Sequence, residues 1–126
     1  MLWLWSSRMN SYVRGKYAEF LARMYMRLHG FRIVAQNYIT GRGTTAGEID
    51  FVAKRGNLLV FVEVKQRTTL TNAAYAIMPA QQQRLIRGAK SFVKNNPQFA
   101  DCDLRFDAIF VVLPFYLRHI PNAWGE

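Results

Sequence analysis

The sequence lacks the residues on which several classes of function depend. Cys102 is the only cysteine among 126 residues, which excludes an internal disulfide and makes a reducing cytoplasm the expected location. No apolar run approaches the roughly 18 residues of a membrane span, so we expect no membrane partner. Internal repeats, glycine-rich phosphate loops, Cys-x-x-Cys pairs and Gly-x-Ser-x-Gly motifs are absent. His29 and His119 have no acid or second histidine at ligand spacing, and we expect both to be structural or exposed.

Acidic residues are also scarce. Eight Asp and Glu stand against 17 Lys and Arg, and the formal net charge is +9. This excess favours a polyanionic partner, most simply nucleic acid, although a merely soluble basic protein is the alternative. Three of the eight acids, Glu48, Asp50 and Glu63, lie close together in the sequence. Acids concentrated in one place on a basic protein indicate a phosphate-binding surface around a cation site.

Length and composition predict one folded domain. The chain is long enough to bury a core, and 51% hydrophobic residues argue against disorder. The apolar run at residues 2–5 is too short for a signal-peptide core and lacks a basic leader. We therefore predict that residues 1–10 form a flexible N-terminal tail and that residues 11–126 form a single domain.

Residues 47–67 are predicted to form a hairpin around which the chain is organised. Strands at 49–53 and 58–64 flank a turn at 54–57, whose glycine and asparagine supply the positive φ angles that tight turns need. The alternation of apolar residues selects a register that pairs Ala53 with Leu58, Phe51 with Val60 and Ile49 with Val62.

This register has a chemical consequence for the opposite face. Asp50 lies opposite Phe61, and Glu48 lies opposite Glu63, so the carboxylates of Asp50 and Glu63 can converge on one cation. Their oxygen ligands suit Mg²⁺ or Mn²⁺. Lys65 projects from the same face, which fits a site where a water is held or deprotonated beside a phosphate.

Residues 11–28 predict the first helix. Large apolar side chains at helical spacing form its predicted buried stripe: Tyr17, Phe20, Leu21, Met24, Tyr25 and Leu28. Glu19 lies nearly opposite this stripe, where it is interpreted as an exposed partner of Arg23. A second face of small residues, Gly15, Ala18 and Ala22, leaves open that the helix packs on both sides.

Short strands and loops connect the helices. Residues 31–37 predict a strand, and the loop at 38–46 carries Arg42, which either grips a phosphate or lies in a simple connection. Residues 66–77 predict a polar loop that contains Arg67.

Residues 79–95 predict a second helix opened by proline. Its predicted buried stripe is Leu85, Ile86, Ala89, Phe92 and Val93. The residues off this stripe are mostly basic: Gln81, Arg84, Arg87, Lys90 and Lys94. Such a row is either a solvated face or a second contact with a nucleic-acid backbone.

Residues 104–113 are almost continuously apolar, which predicts a buried strand parallel to strand 58–64. Asp107 within it is interpreted as the structural partner of an arginine, and residues from 114 onward as a tail. The predicted order of elements is helix, three strands, helix and strand. This order indicates an α/β fold with one mixed sheet.

Several motifs carry a family resemblance. Asp50 followed by Glu63-Val64-Lys65 resembles the D…(D/E)-x-K core of the PD-(D/E)XK nucleases. The wider pattern resembles the bacterial YraN family, catalogued as UPF0102 and related to archaeal Holliday-junction resolvases. It comprises Gly15-x3-Glu19-x2-Ala22, Gly47-Glu48-Ile49-Asp50, Phe61-Val62-Glu63-Val64-Lys65-x-Arg67, Arg105-Phe106-Asp107 and Asn122-Ala123.

The resemblance implies a restriction-endonuclease-like αβββαβ core, a sheet flanked by helices, and a metal-dependent endonuclease acting on DNA. Asp50, Glu63 and the Val64 carbonyl would bind Mg²⁺ or Mn²⁺, Lys65 would act on the attacking water, and Glu19 would approach the metal. Branched DNA and a homodimer are implied in the same way.

One position departs from the family pattern. Relatives usually carry a lysine where Gln81 stands, so a non-catalytic nucleic-acid-binding module on a nuclease-like fold is the alternative. In either function, the predicted nucleic-acid contacts are Arg42, Arg67, Arg84, Arg87 and Lys90.

Overall fold

The protein is described here by a computed structural model covering residues 10–39, 48–68 and 77–125. Two α-helices and five strands follow one another in this part of the chain, with a short 3-10 turn at Pro97–Phe99. They are α1 (Ser11–Leu28), β1 (Arg32–Ile39), β2 (Glu48–Arg55), β3 (Leu58–Gln66), α2 (Pro79–Asn95), β4 (Asp103–Val112) and β5 (Tyr116–Trp124).

The strands form one mixed sheet in the order β1-β2-β3-β4-β5. Strands β3 and β4 are parallel, and α2 makes the crossover between them, while the other neighbours are antiparallel. This confirms the predicted α/β class and the parallel pairing of the apolar strand. The two helices pack on two separate core clusters, one containing Ala18 and Phe51 and the other containing Phe61 and Leu85.

The β2–β3 hairpin is tighter than predicted. Gly56, with φ of +59°, and Asn57 form a two-residue turn. The observed register therefore pairs Ala53 with Val60 and Phe51 with Val62, two residues away from the predicted one. A shift of two residues keeps every side chain on its face, whereas a shift of one would invert the strand.

Strand β5 corrects the predicted C-terminal tail. It pairs with β4 from Val112↔Tyr116 to Phe106↔Trp124. Pro121 interrupts the pattern that would have revealed it, and proline is tolerated here because β5 lies at the edge of the sheet.

Helix α1 has the predicted bounds but buries the opposite face. Ala18, Ala22 and Met26 are buried, whereas Phe20 and Leu28 of the predicted stripe are 47% and 81% exposed. Small side chains let the helix lie close to a sheet face already filled by Phe51, Val60, Val62 and Ile109. The small-residue face is thus the one that packs.

Asn10, the last residue of the predicted tail, caps α1 by accepting a hydrogen bond from the Val13 amide. The rest of that tail, the Arg42 loop and most of the predicted loop at 66–77 lie outside the described residues. Neither helix in the described ranges is long and apolar enough to cross a bilayer.

Candidate metal and phosphate site

The site lies where β2 and β3 separate. Their pairing ends at Phe51↔Val62, although both strands continue beyond it. In the resulting gap, Asp50 Oδ2 accepts a 2.7 Å hydrogen bond from the Val64 amide. The Asp50 carboxylate therefore accepts the hydrogen bond that a backbone carbonyl of β2 would accept if the two strands stayed paired.

The strict alternation of β2 also fails at this gap. Phe51 packs in the cluster under α1, but Ile49, two residues away, packs in the cluster under α2. The predicted common face of Ile49, Phe51 and Ala53 is therefore wrong at Ile49. The break leaves Asp50 at the edge between the two faces.

Asp50 and Glu63 meet across the gap. They lie one residue beyond the last pair, Phe51↔Val62, and their side chains are hydrogen-bonded, whereas the predicted register placed Asp50 opposite Phe61. Burial raises the pKa of Asp50 to about 8, with hydrogen bonding to Glu63 and the charge of Glu63 acting in the same direction. The Val64 amide and Lys65 oppose this increase in the pKa.

Glu63 is the more deeply buried of the two carboxylates. Its side chain is 4% exposed, and its Oε2 accepts a hydrogen bond from the Gln81 amide at the start of α2. Lys65 Nζ lies 3.3 Å from the same oxygen. Lys65 and Glu63 thus project from the same face of β3, as expected.

These side chains line a cavity of about 290 Å³. Its lining residues are Glu48, Asp50, Glu63, Val64, Lys65, Gln81, Arg84 and Leu85. The lining combines three acidic side chains with Lys65 and Arg84, so the cavity matches a cation together with an anionic substrate group.

The donor set fits a hard divalent cation. Two buried carboxylates repel one another unless a proton or a cation lies between them. The Val64 amide faces β2, and in a strand the carbonyl of the same residue faces the same edge. Asp50, Glu63 and the Val64 carbonyl thus offer oxygens alone, as Mg²⁺ and Mn²⁺ prefer. Among the described residues, no three His, Cys, Asp or Glu side chains form a group that could hold a metal.

Glu19 is turned toward this site from α1. Burial raises its pKa, and the charge of Asp50 adds to the increase. Its Oε1 is buried without a hydrogen-bond partner in the described ranges, and Lys16 Nζ lies 3.6 Å from that atom. The interpretation of Glu19 as an exposed partner of Arg23 is therefore wrong.

The predicted nucleic-acid contacts are placed differently from one another. Arg84 lines the cavity, whereas Arg87 and Lys90 are exposed farther along α2. The Arg67 guanidinium lies 5.6 Å from the ring centre of Phe110. Arg42 lies outside the described residues.

Asp107 belongs to a separate buried network. Arg105 makes two 2.8 Å hydrogen bonds to its carboxylate, as the predicted arginine partnership requires. His119 Nε2 lies 2.7 Å from Asp107 Oδ2, and the Asn122 amide donates at 3.0 Å. His119 is structural, as expected, and its acidic partner Asp107 is brought to it by the β4–β5 pairing, which sequence spacing did not reveal.

Comparisons with known proteins agree on one family. The model described as "Uncharacterised protein family UPF0102" matches residues 18–111, which include Glu19 and the whole cavity lining. The UPF0102 protein amb4503 of Paramagnetospirillum magneticum is 49% identical over 88% of this chain and 86% of its own length. The UPF0102 protein of Rhodopseudomonas palustris (strain BisB18) is 44% identical over 93% of this chain and 84% of its own.

Proposed function

The chain belongs to the UPF0102 family, and we propose that it is a metal-dependent nuclease that hydrolyses phosphodiester bonds in DNA. One observation carries the proposal: Asp50 and Glu63 meet in a cavity that also holds Lys65 and Arg84. A net charge of +9 on the chain supports a polyanionic substrate.

Asp50, Glu63 and the Val64 carbonyl would hold Mg²⁺ or Mn²⁺, with Glu19 approaching from α1. The bound cation would polarise the phosphate and lower the pKa of a water molecule. These residues fit such a cation for two reasons. All of the donors are oxygens, and the two carboxylates together carry negative charge that a cation neutralises.

Lys65 holds the attacking water and neutralises charge that develops on the phosphate. Its ammonium is tied to Glu63 Oε2 at 3.3 Å, so it is already directed into the cavity. Gln81 holds that same carboxylate oxygen in place through its amide. Where relatives usually carry a lysine, Gln81 therefore supplies a donor without a charge. Arg84 is placed to bind a phosphate oxygen beside the one that reacts.

The family resemblance favours branched DNA and a homodimer that cuts two strands, and the single cysteine favours action in the cytoplasm. These finer features are part of the proposal.

The direct test is cleavage of branched, flapped and linear DNAs with Mg²⁺ or Mn²⁺, with Asp50→Ala as the control. We expect metal-dependent cleavage by the wild type and none by the variant. Absence of cleavage on every substrate, or equal cleavage by Asp50→Ala, would refute the nuclease.

A non-catalytic nucleic-acid-binding module is the second candidate. It is favoured by Gln81, an uncharged side chain on Glu63 at the position where the family resemblance implies a lysine. A module of this kind would bind DNA without binding Mn²⁺, and Asp50→Ala would tighten binding by removing a negative charge.

A further inference from the structure

Two exposed aromatic side chains lie at the end of the sheet next to the cavity. Phe115 is 62% exposed and Tyr116 is 47% exposed, and both belong to the short connection and strand that follow β4. The proposed chemistry uses neither ring.

The sheet register relates Tyr116 to the catalytic face. Lys65 is level with Phe110, and Phe110 is level with Arg118, so these three project from one face. Tyr116 pairs with Val112 and projects from that face as well, because it lies two residues from Arg118. Two strand spacings and about two residues separate Tyr116 from Lys65, or roughly 12 Å between Cα atoms.

The surface between them is basic. The Arg67 guanidinium lies over the ring of Phe110, at the level of Lys65. Strand β5 carries Arg118 and contains no aspartate or glutamate. We call Arg67, Phe115, Tyr116 and Arg118 the hairpin platform.

We propose that the hairpin platform binds unpaired nucleotides that adjoin the phosphate in the cavity. Phe115 and Tyr116 stack on bases, and Arg67 and Arg118 contact the strand's phosphates. Aromatic rings next to cationic side chains are the means by which proteins bind single strands. The roughly 12 Å from Lys65 to Tyr116 is a distance that a few nucleotides of an unpaired strand can span, within the site sizes of single-strand-binding surfaces.

This inference rests on the proposed function and narrows its substrate class. Bases inside a duplex are stacked on one another and cannot stack on a protein ring without leaving the helix. The platform therefore selects DNA in which a duplex meets an unpaired strand, such as a flap or an overhang.

The experiment measures binding in EDTA, so that no cleavage is needed. The probes are a blunt duplex and the same duplex with a six-nucleotide overhang containing 2-aminopurine, whose fluorescence is quenched by stacking. We expect Phe115→Ala and Tyr116→Ala each to weaken overhang binding by about 5- to 100-fold and to relieve the quenching, with blunt-duplex affinity unchanged.

Matched variants separate the loss of a ring that stacks on bases from the loss of any exposed aromatic side chain. Phe20 on α1 is 47% exposed, as Tyr116 is, and packs on the other side of the sheet, so Phe20→Ala should have no effect. Tyr116→Trp should retain overhang binding because it keeps a ring. Thermal melting of each variant checks its folding.

The outcomes are distinguishable. Equal losses on both probes, or no loss on either, would overturn the platform even if the wild type cleaves DNA. Loss of self-association in place of overhang binding, seen by light scattering, would make the two rings an interface between copies and would also overturn it. Selective overhang binding by a protein that never cleaves DNA would support the hairpin platform and refute the proposed nuclease activity.

Discussion

The Asp50 carboxylate binds the Val64 main chain at 2.7 Å, at a position where a neighbouring strand would otherwise supply the acceptor. The same carboxylate lies against Glu63, which helps to raise its pKa to about 8. A single side chain thus closes the gap in the sheet and has a pKa within the range of ordinary solution pH.

We predict that Mn²⁺ affinity increases with pH up to about 8, the raised pKa of Asp50, because the metal must displace the proton that Asp50 then holds. One displaced proton gives a slope of about tenfold per pH unit. Titration calorimetry between pH 6 and 9, in buffers of different ionisation enthalpy, measures both affinity and proton release. Affinity that is constant over this range would contradict the assignment of Asp50 as a ligand.

The metal-free protein should become less stable as the pH rises toward 8. Asp50 has a higher pKa in the folded state than its ordinary 3.8, so its contribution is full below the ordinary value and is lost through about pH 8. Melting temperatures in EDTA should therefore fall between pH 5.5 and 8.5, and Mg²⁺ should reverse the fall. The Asp50→Asn variant has no proton to release in this pH range, so the fall in its melting temperature between pH 5.5 and 8.5 should disappear.

Lys65→Ala should abolish cleavage and leave metal binding largely intact, because a lysine donates hydrogen bonds and does not ligate Mg²⁺. Asp50→Ala should abolish both. Calorimetric Mn²⁺ titration and DNA cleavage on the two variants provide the comparison. Cleavage at the wild-type rate by Lys65→Ala would remove Lys65 from the catalytic group.

Arg105→Ala should destabilise the fold by about 3 kcal/mol at pH 7, because it leaves the fully buried Asp107 without its two-bond partner. Burial raises the pKa of Asp107, but hydrogen bonds from His119, Arg105 and the Asn122 amide outweigh burial and hold it below its usual value.

The stabilisation from Asp107 is therefore present above its unfolded pKa and is lost as the pH falls through the lower folded value. Urea unfolding should show the Arg105→Ala deficit shrinking toward pH 3. Arg27→Ala, at an exposed position of α1, is the control and should change stability by less than about 0.5 kcal/mol.

Replacing Arg84, Arg87 and Lys90 together with alanine should flatten the salt dependence of DNA binding. Three lost phosphate contacts reduce the slope of log K against log salt by about 2.7. Removing three arginines elsewhere, Arg14, Arg27 and Arg32, gives a variant of equal charge for comparison. Equal effects of the two triple variants would show that net charge, and not the α2 face, governs binding.

Local patterns predicted the elements of this fold well, but long-range pairing less so. Both helices have the predicted bounds, because capping and 3.6-residue periodicity are local properties. The hairpin register was wrong by two residues because apolar pairs match equally well in both registers. Asp50 and Glu63 meet despite this error, because the Asp50 side chain reaches Glu63 and the Val64 amide where the two strands separate.

The errors on α1 and β5 have a common physical cause, because contacts with the rest of the sheet decide both outcomes and local sequence does not reveal those contacts. On α1, large apolar residues outweigh alanines in any periodicity, yet the residues buried against the sheet are Ala18, Ala22 and Met26, with Leu21 and Tyr25 only partly buried beside them. Strand β5 alternates too weakly to be recognised alone, and His119 acquires an acidic partner only through its pairing with β4.

The Gly56-Asn57 turn sets the alignment of a site that it does not touch. Gly56 lies six positions along the chain from Asp50, or roughly 20 Å away. Surface turns usually accept extra residues. A single residue inserted here and absorbed into β3 would move Glu63 to the other side of the sheet, away from Asp50. The length of this distant turn therefore decides whether Asp50 and Glu63 meet, and we expect loop lengths among relatives to vary only where a loop sets no register.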